Sequence, residues 1–349
     1  MQNNQPLTSE ISSDLIDYPA RDMTITVGAG MTVGRLRELL QQEKQQLPID
    51  TPSDDLTLGE MVAFDISGPR QFGYGTLRDY VIGIEASDGS GRVFHAGGRV
   101  VKNVAGYDLC RLLIGAQGKL GTLRHVTFKL KPLPVEEHCS VAAFRTLKDL
   151  DSALNRINLT STTPQILDVL NPMAAQDLLP MIDTDVSAQL ANGIAAFLLL
   201  GFEGSRKACD WQTKTLADEL HGTASFVTTV ARPNVVENYC RAAVQSSFEA
   251  RTQNAAWSAR VAVLPSQIVS VLQLAHDAGI SACGRAGNGV LYLKSDSIAD
   301  LARLREQLTK IVDTGSGSVE IRESNQSWRH PAVTSIVEQY SARLHELLG

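Results

Sequence analysis

Cysteine is scarce and scattered. The chain has five, Cys110, Cys139, Cys209, Cys240 and Cys283, and no two stand in a C-x-x-C spacing. The ligand pattern of a zinc or iron–sulfur site is therefore missing from this chain. An odd, unclustered count also suits a reducing compartment and not a disulfide framework. Positive charge is not in excess either. With 32 Lys+Arg against 38 Asp+Glu the net charge is −6, and the basic residues are dispersed, which argues against a nucleic-acid partner. Long apolar runs are lacking. The longest, Ile194–Leu200, has the length of a core strand and falls far short of the ~20 residues that a membrane helix needs. The opening MQNNQPLTSE is polar and is no signal peptide, so the sequons at Asn158 and Asn325 carry no expectation of glycosylation. The expectation is a cytoplasmic chain with no membrane anchor of its own. The seven histidines are scattered and none has a positioned partner, so no catalytic base can be named.

What is present is an ordinary globular composition, 43% apolar and 20% charged, at a length of 349 residues that suggests two domains. Met23–Val27 alternates as a strand, Gly28-Ala29-Gly30 turns, and Thr32 stands at the N-cap of a helix with Val33, Leu36, Leu39 and Leu40 as its stripe. Tyr80–Ala86 and Arg92–Ala96 flank Asp88-Gly89-Ser90-Gly91, which reads as a hairpin. A short helix at Leu109–Ile114 and a strand at Leu123–Leu130 complete the first half. Pro132-Leu133-Pro134 breaks the pattern and marks a boundary between domains 1–134 and 135–349. Beyond it, strands at Cys139–Phe144, Ile194–Phe202, Trp257–Leu264 and Val290–Lys294 alternate with helices at Leu147–Ile157, Arg206–Leu220, Ser266–Ala278 and Ile298–Val312. The pattern predicts a plaited α+β domain, one antiparallel sheet with helices on one face, and a closing helix over Ala332–Leu348. No sequence repeat is evident.

The Gly-marked turns carry the chemistry. Gly28-Ala29-Gly30 to Gly34 follows a strand and opens a helix, but its spacing is G-x-G-x-x-x-G and no ribose-binding acid follows a second strand, which argues against a dinucleotide fold. Gly73-Tyr74-Gly75 is a loop. Lys102, Asn103, Gly106, Tyr107 and Asp108 form a polar Gly-turn that reads equally as a phosphate or cofactor-oxygen site and as an Asx turn bonded to its own backbone. Gly115, Gly118 and Gly121 make a second turn before an alternating strand. Such glycines let backbone N–H groups approach a ligand closely. Gly284–Gly289 reads as a hairpin turn, with Arg285 able to point at a carboxylate.

The segments TITVGAGMTVGRL (24–36), TLGEMVA (57–63), SGPRQFGYGTLRDYVIG (67–83) and HAGGRVVKNVAGYDL (95–109), with the strand ending at Pro134, together resemble the FAD-linked oxidases of the vanillyl-alcohol oxidase type, in particular their glycolate oxidase branch. The resemblance implies an α+β fold, a PCMH-type FAD-binding domain followed by a cap-like domain. It implies FAD contacts at Gly59, Ser67, Gly68, Gly75, Asp79, Lys102, Asn103, Gly106, Asp108, Gly118 and Gly121. FAD is expected to bind non-covalently, since no His or Cys stands in a matched flavin-linking motif. Glu60 replaces a glycine of the family's usual pair, and a carboxylate there repels phosphates unless it turns outward. The family's Gly-rich βαβ segment is expected before Thr24, and an F-D-P-x-x-x-F-N-P-G-R phrase at the other end. Neither is found, so a shortened flavin domain is expected.

The implied function is oxidation of a 2-hydroxy acid, glycolate to glyoxylate, in a complex with a paralogous flavin subunit and an iron–sulfur subunit. Those partners would bring the chain to the inner face of the membrane. The competing reading is a scaffold subunit of the same complex that has lost FAD. A stand-alone oxidase is disfavoured, because no substrate base can be named.

Overall fold

A computed structural model describes residues 11–98, 108–183, 193–252, 256–297, 299, 301–315, 317–323 and 326–329. The expected turn at Lys102–Tyr107 and closing helix at Ala332–Leu348 lie outside them. The chain divides into two compact units, Met1–Pro134 and Val135–Gly349.

The first unit contains β1 (Leu15–Asp17), β2 (Thr24–Gly28), α1 (Val33–Gln42), β3 (Gln45–Gln46), α2 (Leu58–Ala63) and α3 (Gln71–Tyr74). There follow β4 (Val81–Ser87), β5 (Val93–Gly97), α4 (Leu109–Leu113), β6 (Thr122–Lys129) and β7 (Lys131–Pro132). Five strands form an antiparallel sheet in the order β1-β2-β6-β4-β5, while β3 and β7 pair separately. The period-2 alternation decides the faces. Ile25, Val27, Val126 and Phe128 point into the core with Leu36 and Leu40 of α1 and Leu58, Met61 and Val62 of α2. On the other face Thr26 and Thr127 share a hydrogen bond of 3.0 Å, and Glu85 meets His125, His95 and Arg124. Thr32 caps α1 as the sequence predicts, its hydroxyl accepting from the Arg35 amide.

The second unit contains β8 (Glu136–Phe144), α5 (Leu147–Ile157), β9 (Ile166–Leu170), α6 (Pro172–Leu178), β10 (Ala196–Gly204), α7 (Arg206–Leu220), β11 (Phe226–Ala231) and α8 (Val235–Thr252). It continues with β12 (Trp257–Ala262), α9 (Ile268–Asp277), β13 (Ser281–Arg285), β14 (Val290–Ser295), α10 (Leu301–Gly315), β15 (Ser318–Glu323) and β16 (Gln326–Arg329). Among the described residues all nine strands join one antiparallel sheet, ordered β11-β8-β10-β9-β13-β14-β12-β15-β16.

That order contains a repeat. β8-α5-β9, then β10-α7-β11, is a β-α-β-β-α-β unit with sheet order 4-1-3-2, and β12-α9-β13, then β14-α10-β15, is a second with the same order. The two halves meet through their second strands, β9 and β13. Their seam pairs Cys283 with Leu170, Gly284 with Val169 and Arg285 with Asp168. Asn171 extends it, since its side-chain oxygen accepts from Ala282 N (3.0 Å) and its amide group donates to Ile280 O (2.6 Å).

Helices cover both faces, not the one face that the sequence pattern predicts. Leu150, Ala153, Leu216, Leu272 and Leu308 of α5, α7, α9 and α10 bury one side. Ala174 and Leu178 of α6 and Val235, Val236, Tyr239, Cys240 and Ala243 of α8 pack on the other. The reason is the central strands. Every residue of β9 and nearly every residue of β10 is buried, so both faces need cover.

Candidate functional site

In the first unit the structure brings three of the expected segments around the C-terminal end of α2. The 115–121 turn docks there by hydrogen bonds from Gly115 N to Val62 O (3.0 Å) and from Gln117 N to Ala63 O (2.9 Å). Arg78 ties the same region together, its Nε 3.3 Å from Asp65 and an Nη 3.5 Å from Ile114 O. The turn 66–70 begins at the same place, with Ile66 N bonded to Met61 O.

The individual residues divide into two kinds. Several have structural tasks. Gly59 donates its amide to Ala29 O at 2.7 Å, and a Cβ there would stand 3.1 Å from that oxygen, so this glycine seats α2 on the 28–30 turn. Gly75 has φ 91° and leaves room for the Asp79 carboxylate, which accepts from Thr76 N (2.8 Å) and Thr76 Oγ1 (3.1 Å) as a helix cap. Asp108 caps α4 through Arg111 N. Gly121 lies where a Cβ would meet Ser87 O at 2.7 Å. Glu60, the residue at odds with the family pattern, folds back on its own helix. Its carboxylate accepts from Thr57 N (2.9 Å) and Thr57 Oγ1 (2.7 Å), a capping box.

Others are open. Among the described residues the amides of Ser67, Gly68 and Gly118 and the Ser67 hydroxyl make no hydrogen bond. Gly68 is buried, and at Gly118 no atom lies within 4 Å of the point where a Cβ would stand. Of these only the Gly68 amide is buried, and a buried N–H needs an acceptor from outside the described residues; Ser67 is half-buried and Gly118 exposed. Asp79, Asp108 and Glu60 are turned into caps and Asp65 pairs with Arg78, so open amides of this kind are compatible with a phosphate-bearing group. Lys102, Asn103 and Gly106 lie outside the described residues.

The turn 66–75 is itself braced. Asp50 (2% exposed) accepts from Arg70 N at 2.8 Å and from Arg70 Nε at 2.6 Å. At its other end Tyr80 donates its hydroxyl to Tyr74 O at 2.8 Å. Burial, then the nearby Asp79, pushes the Tyr80 phenol up to about 12, so it remains a donor. By sequence, 50–55 reads as a plain loop, and that reading misses this brace. The signal for it was an acid upstream of an arginine in a Gly-Pro turn.

In the second unit a shallow depression, open to solvent, is lined by Ser247, Ser258, Arg260, Tyr292, Glu320 and Arg322. Arg322 pairs with Glu320 at 3.1 Å. The half-buried Arg260 has no hydrogen bond or ion pair among the described residues. It stands opposite Tyr292 and Glu320 in the register of β12. A guanidinium with unused donors can bind a carboxylate, and Glu320 across the strand pair is one already at hand. Its signal in the sequence was one arginine inside the apolar strand Trp257–Ala262.

Arg285, expected to point at a carboxylate, meets one inside the protein. Its Nη1 lies 2.7 Å from Asp168 Oδ2, with the two side chains 1% and 0% exposed, and its guanidinium stands 5.6 Å from the Tyr292 ring centre. Tyr239 donates to the same Asp168 oxygen at 2.7 Å, and burial together with that carboxylate holds its phenol well above the usual range. Arg285 is therefore part of the seam. No group of three or more His, Cys, Asp or Glu among the described residues is placed to hold a metal. No helix among them is long and apolar enough to cross a membrane.

Residues 8–97 match the family described as FAD binding domain, so FAD is the cofactor for which the first unit is built. Glycolate oxidase subunit GlcE of Escherichia coli (strain K12) is 36% identical over 132 residues, 37% of this chain and 38% of that protein. D-lactate dehydrogenase of Archaeoglobus fulgidus is 31% identical over 143 residues, 41% of this chain and 32% of the relative. Glycolate oxidase subunit GlcD of Bacillus subtilis (strain 168) is 28% identical over 193 residues, 55% and 40% of the two chains. The matches thus span well under half of each of these relatives. A solved alkyldihydroxyacetonephosphate synthase superposes with a TM-score of 0.62 at 19% identity, covering 88% of this chain and 62% of its own, and shows the fold.

Proposed function

We propose that this chain, whose residues 8–97 match the FAD binding domain family, is the E-type flavin subunit of a glycolate oxidase complex. Its substrate is a small 2-hydroxy acid, with glycolate going to glyoxylate. The observation that carries the reading is the conjunction of open amides at Ser67 and Gly68 with an FAD binding domain match over residues 8–97; the open amide of Gly118 follows that stretch. Those groups, with Lys102, Asn103 and Gly106, would hold the FAD phosphates and ring. When bound, FAD supplies the hydride acceptor. Arg260 would bind the substrate carboxylate at this solvent-open surface, beside Tyr292 and Ser258. Arg260 orients and binds; it does not move a proton. Similarity to both GlcE and GlcD supports a paralogous flavin partner, and an iron–sulfur subunit would carry electrons away. The complex would sit at the cytoplasmic face of the membrane through those partners.

An absorbance spectrum of the purified chain, with added FAD and then after acid precipitation, tests the cofactor. A bound flavin spectrum, with all colour released by acid, is expected. Colour left in the pellet would overturn non-covalent binding. A chain that takes up no FAD while its complex remains active would favour a scaffold role.

A further inference from the structure

Asp50 lies outside every Gly-marked motif, yet it makes the closest polar contacts in the first unit's candidate cofactor turn. One carboxylate grips both the main chain and the side chain of a single residue, Arg70, at 2.8 and 2.6 Å. Both partners are nearly out of water, with side chains 1% and 6% exposed. A buried ion pair is an inefficient stabiliser, since desolvation offsets most of its attraction. Its geometry here does something that an apolar contact cannot. It fixes the backbone N–H at position 70, just two residues beyond Gly68, and thereby the direction of the open amides of Ser67 and Gly68. It also neutralises the arginine, leaving the turn's own amides to attract an anion.

We propose that Asp50 is a positioning residue for the cofactor. By clamping Arg70 it holds the 67–70 turn with its amides directed at the FAD phosphates. Asp50 itself touches no ligand. This rests on the flavin reading above, and the test separates the two.

The test uses the full-length chain and FAD, with affinity measured by quenching of flavin fluorescence and folding by circular dichroism and thermal melting. Two variants are needed. Asp50→Asn keeps one acceptor but removes the charge. Asp50→Leu with Arg70→Met removes the whole pair, a replacement that commonly leaves stability unchanged or raised. The expected result is FAD affinity at least about tenfold weaker in both, with the melting temperature of the double variant close to wild type. FAD affinity within about twofold of wild type in either folded variant would overturn the proposal while leaving the flavin reading intact. Failure of both variants to fold would also overturn it, because the pair would then be a folding requirement. A wild-type chain that binds no FAD would remove the flavin reading itself, and this inference with it.

Discussion

Asp168 and Arg285 face each other across the one strand pair that joins the two halves of the second unit. Their Oδ2 and Nη1 atoms are 2.7 Å apart and both side chains are buried. A third group, the Tyr239 hydroxyl, reaches the same oxygen from α8. The pair thus links β9, β13 and a helix on the sheet's second face. Removing one partner leaves a charge in the interior with no counter-ion. Asp168→Asn or Arg285→Met should each destabilise the chain by about 3–5 kcal/mol, as read by urea unfolding. The Asp168→Leu, Arg285→Met double variant should be much closer to wild type. Equal losses in single and double variants would show that the pairing is not what matters.

Gly121 and Gly118 should respond differently to alanine. At Gly121 a Cβ would lie 2.7 Å from Ser87 O, so the strand start must shift, and clear destabilisation is expected. At Gly118, φ is 75° and the surrounding space is open, so the stability cost should be only about 1–2 kcal/mol from the left-handed backbone. Because the Gly118 amide is among the open donors, a side chain beside it should block a ligand's approach, and FAD affinity should fall at Gly118→Ala while the fold survives. Melting curves and flavin titration of the two variants check the contrast.

Arg260→Met should raise KM for the 2-hydroxy acid by about 10–100-fold, the worth of a charged hydrogen bond at roughly 1.5–3 kcal/mol. A loss in KM with a smaller change in kcat marks a group that binds ground state and transition state alike. Steady-state kinetics on the assembled complex is the measurement. An unchanged KM would remove Arg260 from the carboxylate site.

All five cysteines are buried. Burial pushes the thiols of Cys110, Cys209 and Cys283 up to about 11, and that of Cys139 higher still. The reactive thiolate is therefore nearly absent at pH 8. A chromogenic disulfide reagent should label none rapidly in the native chain and all five after denaturation.

Asp88, at the β4–β5 hairpin, accepts hydrogen bonds from Ser90 and Arg92 that hold its pKa down to about 2, the Ser90 hydroxyl having the largest effect. A depressed folded-state pKa means that its support for the turn is complete above the unfolded value near 3.8 and is lost as pH falls towards 2. Carbon-detected NMR titration should find the midpoint near 2 in the wild type and higher in Ser90→Ala.

The sequence carried a good part of this architecture. Arg206–Leu220 and Leu147–Ile157 are helices over the predicted residues, because a Ser or Thr cap and a 3.6-residue stripe mark each of them. Strand β9 was missed because Ile166–Leu170 is five residues with no alternation, buried on both faces, and such a segment has no period to read. With β9 unseen, the seam between β9 and β13 and the repeat it joins stay hidden. Within the candidate site, glycine-rich strings pointed to the right region, but spacing alone could not tell Gly118, open to a ligand, from Gly59 and Gly121, which accommodate main-chain oxygens. Nor could it show that Asp79 and Glu60 were occupied as caps. Asp50 and Arg70 are 20 residues apart, and nothing local announces their contact.

The seam between β9 and β13 has a mechanical consequence. It pairs three residues, where β8 and β10 pair nine, so the large sheet is tightly knit inside each half and thinly stitched down the middle. Under a pulling force applied across the strands, the sheet should tear along that line first, and the two halves should part as intact pieces. The Asp168–Arg285 pair and the Asn171 bonds are the rivets on that line. A lateral load on this unit is borne less by its large apolar core than by a few polar contacts at its centre.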